Sequence, residues 1–142
     1  METTYIDSAL KTRRIRPTHI RRSIYEILQK KNFALSQAEI AGELQTSFNR
    51  VTIYRTLNKF LKNGLIHKVV DEFNTKYALC NKANCDIKMH HDEHVHFKCE
   101  KCGHIFCLDS TTISTPELPT GFQINFYSLT AGGICRDCVT EK

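Results

Sequence analysis

Two Cys-x-x-Cys pairs near the end of the chain, Cys99-Glu-Lys-Cys102 and Cys135-Arg-Asp-Cys138, constrain the fold more than any other feature. Each pair can present two thiolates to one small ion, and two pairs complete a tetrahedral four-sulfur shell of the kind that closes around structural zinc. Gly103, directly after the first pair, permits the tight turn such a knuckle needs. The segments carrying Cys99, Cys102, Cys135 and Cys138 must therefore meet in space. A single redox pair would need only one Cys-x-x-Cys, and two pairs of ordinary buried cysteines would need no such spacing.

The rest of the chain is organised around that end. All seven cysteines lie at or after Cys80, and five of the seven histidines lie between His90 and His104. Residues 1–77 carry 14 Lys and Arg against 7 Asp and Glu, whereas residues 78–142 carry 6 against 8. A basic, cysteine-free half thus precedes a ligand-rich half. A basic half suits an anionic partner, of which nucleic acid is the commonest. No run of 18 apolar residues is present to span a membrane, and the start METTYIDSALKTRR lacks the apolar core of a signal peptide. The expectation is a cytoplasmic protein, whose cysteines serve as metal ligands rather than as a disulfide framework.

In the basic half, Pro17 suits the first turn of a helix, and Ile20, Ile24, Ile27 and Leu28 recur at helical spacing until Asn32. Ser36 and Glu39 form a capping-box pattern ahead of Ile40 and Leu44. Ser47 or Asn49 can cap a third helix, Asn49 to Asn63, in which Val51, Tyr54, Leu57 and Leu61 are expected to share the apolar face before Gly64 stops it. Residues 65–70 and 76–79 then read as two strands around the turn Asp71-Glu72-Phe73-Asn74. Three helices followed by a hairpin predict a winged helix-turn-helix. Its third helix opens with Asn49, Arg50, Thr52, Tyr54 and Arg55, polar and basic groups at the end that enters a major groove.

The string Thr52-Ile53-Tyr54-Arg55-Thr56-Leu57 with Gly64-Leu65-Ile66 resembles the recognition helix and wing of the ferric uptake regulator (Fur) family. Thr18-x-x-Arg21-x-x-Ile24-x-x-x-Leu28 resembles its first core helix. His94-x-His96-x-x-Cys99-x-x-Cys102-Gly103 resembles its metal signature, and Gly121-Phe122 with Gly133-x-Cys135-x-x-Cys138 resembles its C-terminal end. The resemblance runs from about residue 13 to residue 138 in the family order. It implies an α+β protein: a winged-helix DNA-binding domain over 1–79, a hinge over 80–92, and a small α/β dimerisation and metal-binding domain over 93–142 holding the four-cysteine zinc. It further implies a homodimeric, metal-responsive repressor on a palindromic DNA operator, with no catalytic activity, no membrane partner and no small organic substrate. By carry-over, Tyr54 meets bases, Arg55 meets phosphate or a base edge, Thr52 meets phosphate, and Lys11, Arg13 and Arg14 reach a minor groove.

The ligand set departs from the iron-sensing pattern. Where the family often has an acidic ligand after the knuckle, this chain has Cys107. Where it has one near the end of the wing, the chain reads Tyr77-Ala78-Leu79-Cys80, and Cys85 follows. The histidine that iron and peroxide sensors place before the second helix falls at Phe33-Ala34. A third family site would need ligands where Val95 and Tyr127 stand. Thiolate with imidazole suits zinc, and carboxylate with imidazole suits iron or manganese. The expectation is an exchangeable regulatory zinc on His94, His96, Cys107 and Cys85, with Cys80 and His91 in reserve. The alternatives are an iron-dependent repressor and a peroxide- or redox-responsive regulator of the same family.

Overall fold

The computed structural model describes residues 2–45, 47–70, 74–79, 94–112, 116–125 and 129–140. The chain divides into two compact units, Met1–His90 and His91–Lys142. The expected hinge over 80–92, with Cys80, Cys85 and His91, lies outside the described residues. Among the described residues no helix is long and apolar enough to cross a membrane.

In the first unit, α1 (Glu2–Thr12), α2 (His19–Lys31), α3 (Gln37–Glu43) and α4 (Arg50–Lys62) are joined by a small sheet of β1 (Leu35–Ser36), β2 (Ile66–Val70) and β3 (Thr75–Leu79). The strand order is β1-β3-β2, all antiparallel, so β2 and β3 form the wing and β1 stitches it to the start of α3. Local signals set most boundaries. The Thr18 hydroxyl accepts from the Arg21 amide and caps α2, and Asn32 ends it in the left-handed region at φ 57°. Ser36 and Glu39 form both halves of the capping box on α3. Pro17 falls one residue ahead of the Thr18 cap rather than in the first turn of the helix, because Thr18 holds extended backbone geometry at φ −138°.

Fourteen buried side chains make this unit's core, including Leu10, Ile15, Ile24, Leu28, Ile40, Ile53, Leu57, Phe60 and Ile66. Helix α1, which the sequence reading did not assign, contributes Ile6 and Leu10 to it. A bidentate ion pair from Arg22 Nε and Nη2 to Asp7, at 2.6 and 3.1 Å, joins α1 to α2 outside the core. The apolar face expected on α4 is corrected by rotation. Ile53, Thr56, Leu57 and Phe60 face the core, whereas Val51 and Tyr54 are each 52% exposed and Leu61 is half-buried.

In the second unit, β4 (His94–Cys99) is central in the order β5-β4-β6, antiparallel to β5 (Ile105–Thr112) and parallel to β6 (Leu129–Gly133), and α5 (Arg136–Thr140) follows. Among its described residues, Cys99, Cys135 and Cys138 form a buried cluster with Phe97 and Phe106 packed against them, and Val95 and Ile105 are buried as well.

Candidate metal centre and nucleic-acid interface

The second unit brings its two knuckles together as the spacing requires. The sulfurs of Cys99, Cys102, Cys135 and Cys138 all lie within 4.8 Å of one another. The first knuckle closes through Gly103 N donating to Cys99 O at 2.9 Å, with Gly103 at φ 76°, and through Cys99 N donating to His104 O at 2.9 Å. The second sits at the start of α5, where Val139 N donates to Cys135 O at 2.9 Å. Pairing of β4 with β6 fixes the two knuckles side by side: Cys99 stands opposite Gly133, and Glu100 N donates to Gly133 O at 2.7 Å. A side chain at position 133 would crowd the Phe97 ring at 3.2 Å, so glycine lets the strands meet there.

The electrostatics favour a cation. The amides of Cys102 and Cys135 each donate to the Cys99 sulfur at 3.4 Å. Those two bonds, Cys102 first, lower the Cys99 thiol to about 6, because N–H dipoles favour the thiolate. Burial, followed by its neighbouring thiols, pushes Cys138 up to about 12. Four sulfurs so close cannot all ionise unless positive charge is shared among them. Four thiolates in a closed tetrahedral set suit zinc and leave no open position for substrate chemistry.

A second set of ligand-capable groups lies on the same sheet. His96 on β4 stands directly opposite Cys107 on β5, and a ring nitrogen of His96 lies within 4.8 Å of the Cys107 sulfur. His96 is buried and Cys107 half-buried. The His-x-His alternation is less regular than the sequence suggests: the ladder is irregular between His94 and Val95, where the partners jump from Thr112 to Leu108. The side chain of His94 lies outside the described residues, as do Cys80, Cys85 and His91.

In the first unit, the exposed face of α4 carries most of the residues expected to meet nucleic acid. Arg50, Thr52, Tyr54 and Arg55 are all exposed. Burial first, and then the neighbouring Tyr54, push the Tyr77 hydroxyl up. Asn49 has a structural duty in addition: its side-chain oxygen accepts from Val51 N at 2.8 Å and caps α4. Gln37 Nε2 donates to Arg50 O at 3.2 Å, locking the start of α3 to the start of α4. Lys11 and Arg14 are exposed and Arg13 is half-buried, all in the turn that closes α1.

Three residues escaped the sequence reading. Gln37 and Asn63 join elements through side-chain amides, which no local pattern announces. His67 is a buried imidazole, 2% exposed, on wing strand β2. Its signal was an imidazole inside a largely apolar run, Leu65-Ile66-His67-Lys68-Val69-Val70.

The chain matches the profile described as the Ferric uptake regulator family over residues 12–130. It is 25% identical over 138 residues to the zinc uptake regulation protein of Escherichia coli (strain K12), a match spanning 89% of this chain and 75% of that protein. Among solved structures, holo XcZur is similar at a TM-score of 0.65 and 20% identity, covering 98% of this chain and 99% of that one. A zinc uptake regulator complexed with zinc and DNA is similar at a TM-score of 0.62 and 21% identity, covering 98% and 95%. At these identities the structural likeness speaks for the fold.

Proposed function

The chain belongs to the ferric uptake regulator family, a family of metal-responsive DNA-binding transcription regulators rather than enzymes, and on that premise we propose that it is a zinc-dependent repressor. In this reading Cys99, Cys102, Cys135 and Cys138 hold a structural zinc, and His96 and Cys107, with His94 and Cys85, hold an exchangeable one. Cys80 and His91 are the reserve ligands. The observation that carries the metal assignment is the pairing of His96 with Cys107 across β4 and β5. It puts imidazole and sulfur side by side where an iron or manganese site would favour a carboxylate. The E. coli relative named for zinc uptake supports the same reading.

A cation at that pair supplies a cross-link between the central sheet and the segment carrying Cys85. Restraint of that segment favours one arrangement of the chain over others, and only tighter metal binding to the DNA-competent arrangement can shift the balance. Moving the population from 1:99 to 99:1 takes roughly 5.5 kcal/mol of differential affinity. Thiolate-bound zinc, with apparent energies of about 10–16 kcal/mol in structural sites, covers that requirement.

On the DNA side, Tyr54 and Arg55 read the major groove from the exposed face of α4, and Arg50 and Thr52 contact phosphate. Asn49 chiefly sets the helix start, and Lys11, Arg13 and Arg14 approach the backbone or minor groove. The chain acts as a homodimer on a palindromic operator, each copy reading one half-site. Leu118, Phe122, Ile124, Ile134 and Val139 are large apolar side chains left exposed in the second unit, with Phe122 at 69%. Such exposure supports an interface there.

The test is metal content tracked against DNA binding. Two zinc ions per chain are expected, one of them removed by mild chelation together with operator binding and both restored by zinc. His96→Ala with Cys107→Ser is expected to retain one zinc and lose the metal response. A double variant that still responds to zinc, or a wild-type protein that responds only to ferrous iron, would overturn the assignment.

A further inference from the structure

Two helices of the first unit end in the same turn, one with the residue that turn prefers and one without it. At the end of α4, Leu65 N donates to Phe60 O at 2.9 Å and Gly64 N to Leu61 O at 3.1 Å, with Gly64 at φ 73°. At the end of α1, Ile15 N donates to Leu10 O at 2.9 Å and Arg14 N to Lys11 O at 2.9 Å, with Arg14 at φ 59°. Both are Schellman closures, and in the second the buried pair Leu10 and Ile15 completes the usual apolar contact. Position 64 has the glycine that left-handed backbone favours. Position 14 has an arginine, whose Cβ is crowded in that region.

The two turns are also joined. Asn63, the residue before Gly64, is 8% exposed, and its Nδ2 donates to Arg13 O at 2.8 Å and Arg14 O at 3.4 Å. The C-cap of the recognition helix therefore satisfies the carbonyls left open by the strained turn. Arg14 itself is exposed, so its side chain contributes nothing to the core. Strain kept at a surface position whose side chain is not needed for packing points to a use for that side chain.

We propose that Arg14 contacts a DNA phosphate and that Asn63 is its positioning residue, holding the Arg13–Arg14 turn to the end of α4. This rests on the reading of α4 as the DNA-binding helix. Lys11 and Arg13 flank the contact and make the turn a basic strap coupled to the recognition helix by one amide.

The probe is a random-sequence 30-base-pair duplex, because phosphate contacts act without an operator, titrated with the full-length zinc-loaded protein over a potassium chloride series. Arg14→Gly is expected to keep or raise Tm, since glycine fits the turn, while weakening binding roughly threefold to tenfold. It should also reduce the log affinity against log salt slope by about 1 per protomer. Arg14→Lys restores most of the slope. Lys30→Gln, one charge removed elsewhere on the unit, leaves the slope close to wild type. Asn63→Ala weakens binding in the wild-type background and adds nothing in the Arg14→Gly background. An unchanged slope for Arg14→Gly beside a weakened Arg55→Ala overturns the strap and spares the reading of α4. An Asn63→Ala effect of equal size in both backgrounds overturns the positioning role. Unchanged binding in Arg14→Gly, Tyr54→Ala and Arg55→Ala together overturns the DNA-binding reading of α4 itself.

Discussion

The two units reach order by different means. The first gathers a cluster of fourteen buried aliphatic and aromatic side chains from its helices and wing. Among the described residues of the second, a buried cluster is built on three cysteines lined by two phenylalanines, with Val95 and Ile105 the other buried aliphatic side chains. Apolar burial contributes roughly 25 cal/mol per Å² and needs no ligand. A core of thiols contributes little of that kind and gains its stability when a cation binds. The first unit can therefore stay folded at every metal level, while the four-thiol cluster of the second depends on a cation. That division suits a regulator, which must survive without metal in order to respond to it.

The largest test of this contrast is metal removal. Strong chelation, or Cys99→Ser, is expected to abolish protection of the Cys102 and Cys135 amides and the ordered signals of β4 to β6 in hydrogen exchange. The apparent energy withdrawn is about 10–16 kcal/mol. Helical circular dichroism, which comes mostly from α1 to α4, should fall only slightly. Acid should do the same as chelation, because ligand thiols must lose their protons to bind. Collapse of the helical signal together with the sheet would break the comparison.

The converse test is a cavity in the first unit. Phe60 is fully buried, and Phe60→Ala is expected to destabilise that unit by about 3–5 kcal/mol. Tightly held zinc should be unchanged by metal analysis, and the β4 to β6 amides should keep their protection. Loss of the structural zinc in this variant would mean that the units do not fold independently.

How far each unit was legible in the sequence follows from the same contrast. Metal knuckles are local: Cys99 to Cys102 and Cys135 to Cys138 declare their chemistry within four residues, and Gly103 declares the turn. Caps are local too, which is why Ser36 with Glu39, and Gly64, marked their helix ends correctly. Helix faces are not local. On α4 both Val51-Tyr54-Leu57-Leu61 and Ile53-Thr56-Leu57-Phe60 have helical spacing, and only the packing decides between them. Thr56 hides its place in the core because it is polar, although its hydroxyl is satisfied by Thr52 O at 2.9 Å. Helix α1 offers Ile6 and Leu10 to the core with Ala9 packed against it, too few large apolar residues for periodicity to reveal it. The pairing of His96 with Cys107 was hidden for a related reason: the two meet through strand register, which spacing alone does not announce.

A smaller effect separates scaffold from contact on the exposed face of α4. Asn49 caps α4, so Asn49→Ala is expected to lower stability by about 1 kcal/mol, while Asn49→Ser or Asn49→Asp keeps the cap. Asn49→Ser should therefore bind the operator nearly as well as wild type. A large loss of affinity in the stable serine variant would make Asn49 a base contact as well as a cap.

The smallest effect asks whether charge has any part in the apolar unit. Arg22 lies beside Asp7 and, chiefly through its hydrogen bonds, holds that carboxyl below the usual range. The sign follows from linkage: a carboxyl whose pKa is lower folded than unfolded adds stability above the unfolded value and loses it as pH falls through the folded one. Arg22 stays charged throughout. Asp7→Asn should therefore lower Tm slightly at pH 7, and the gap from wild type should begin to narrow near the unfolded carboxyl value of about 4 and close as pH falls through the lower folded value. Both side chains are partly exposed, 37% for Arg22 and 24% for Asp7, so the pair belongs with surface ion pairs of small worth. It ties α1 to α2 outside the core, so its effect should be read on α1 first, as faster amide exchange near Leu10. A gap that does not narrow at all as pH is lowered below the unfolded carboxyl value would show that Asp7 acts through packing or hydrogen-bond geometry rather than charge. The link between α1 and α2 would then be one of contact, and the contrast of this unit with the thiol-rich one would be sharper still.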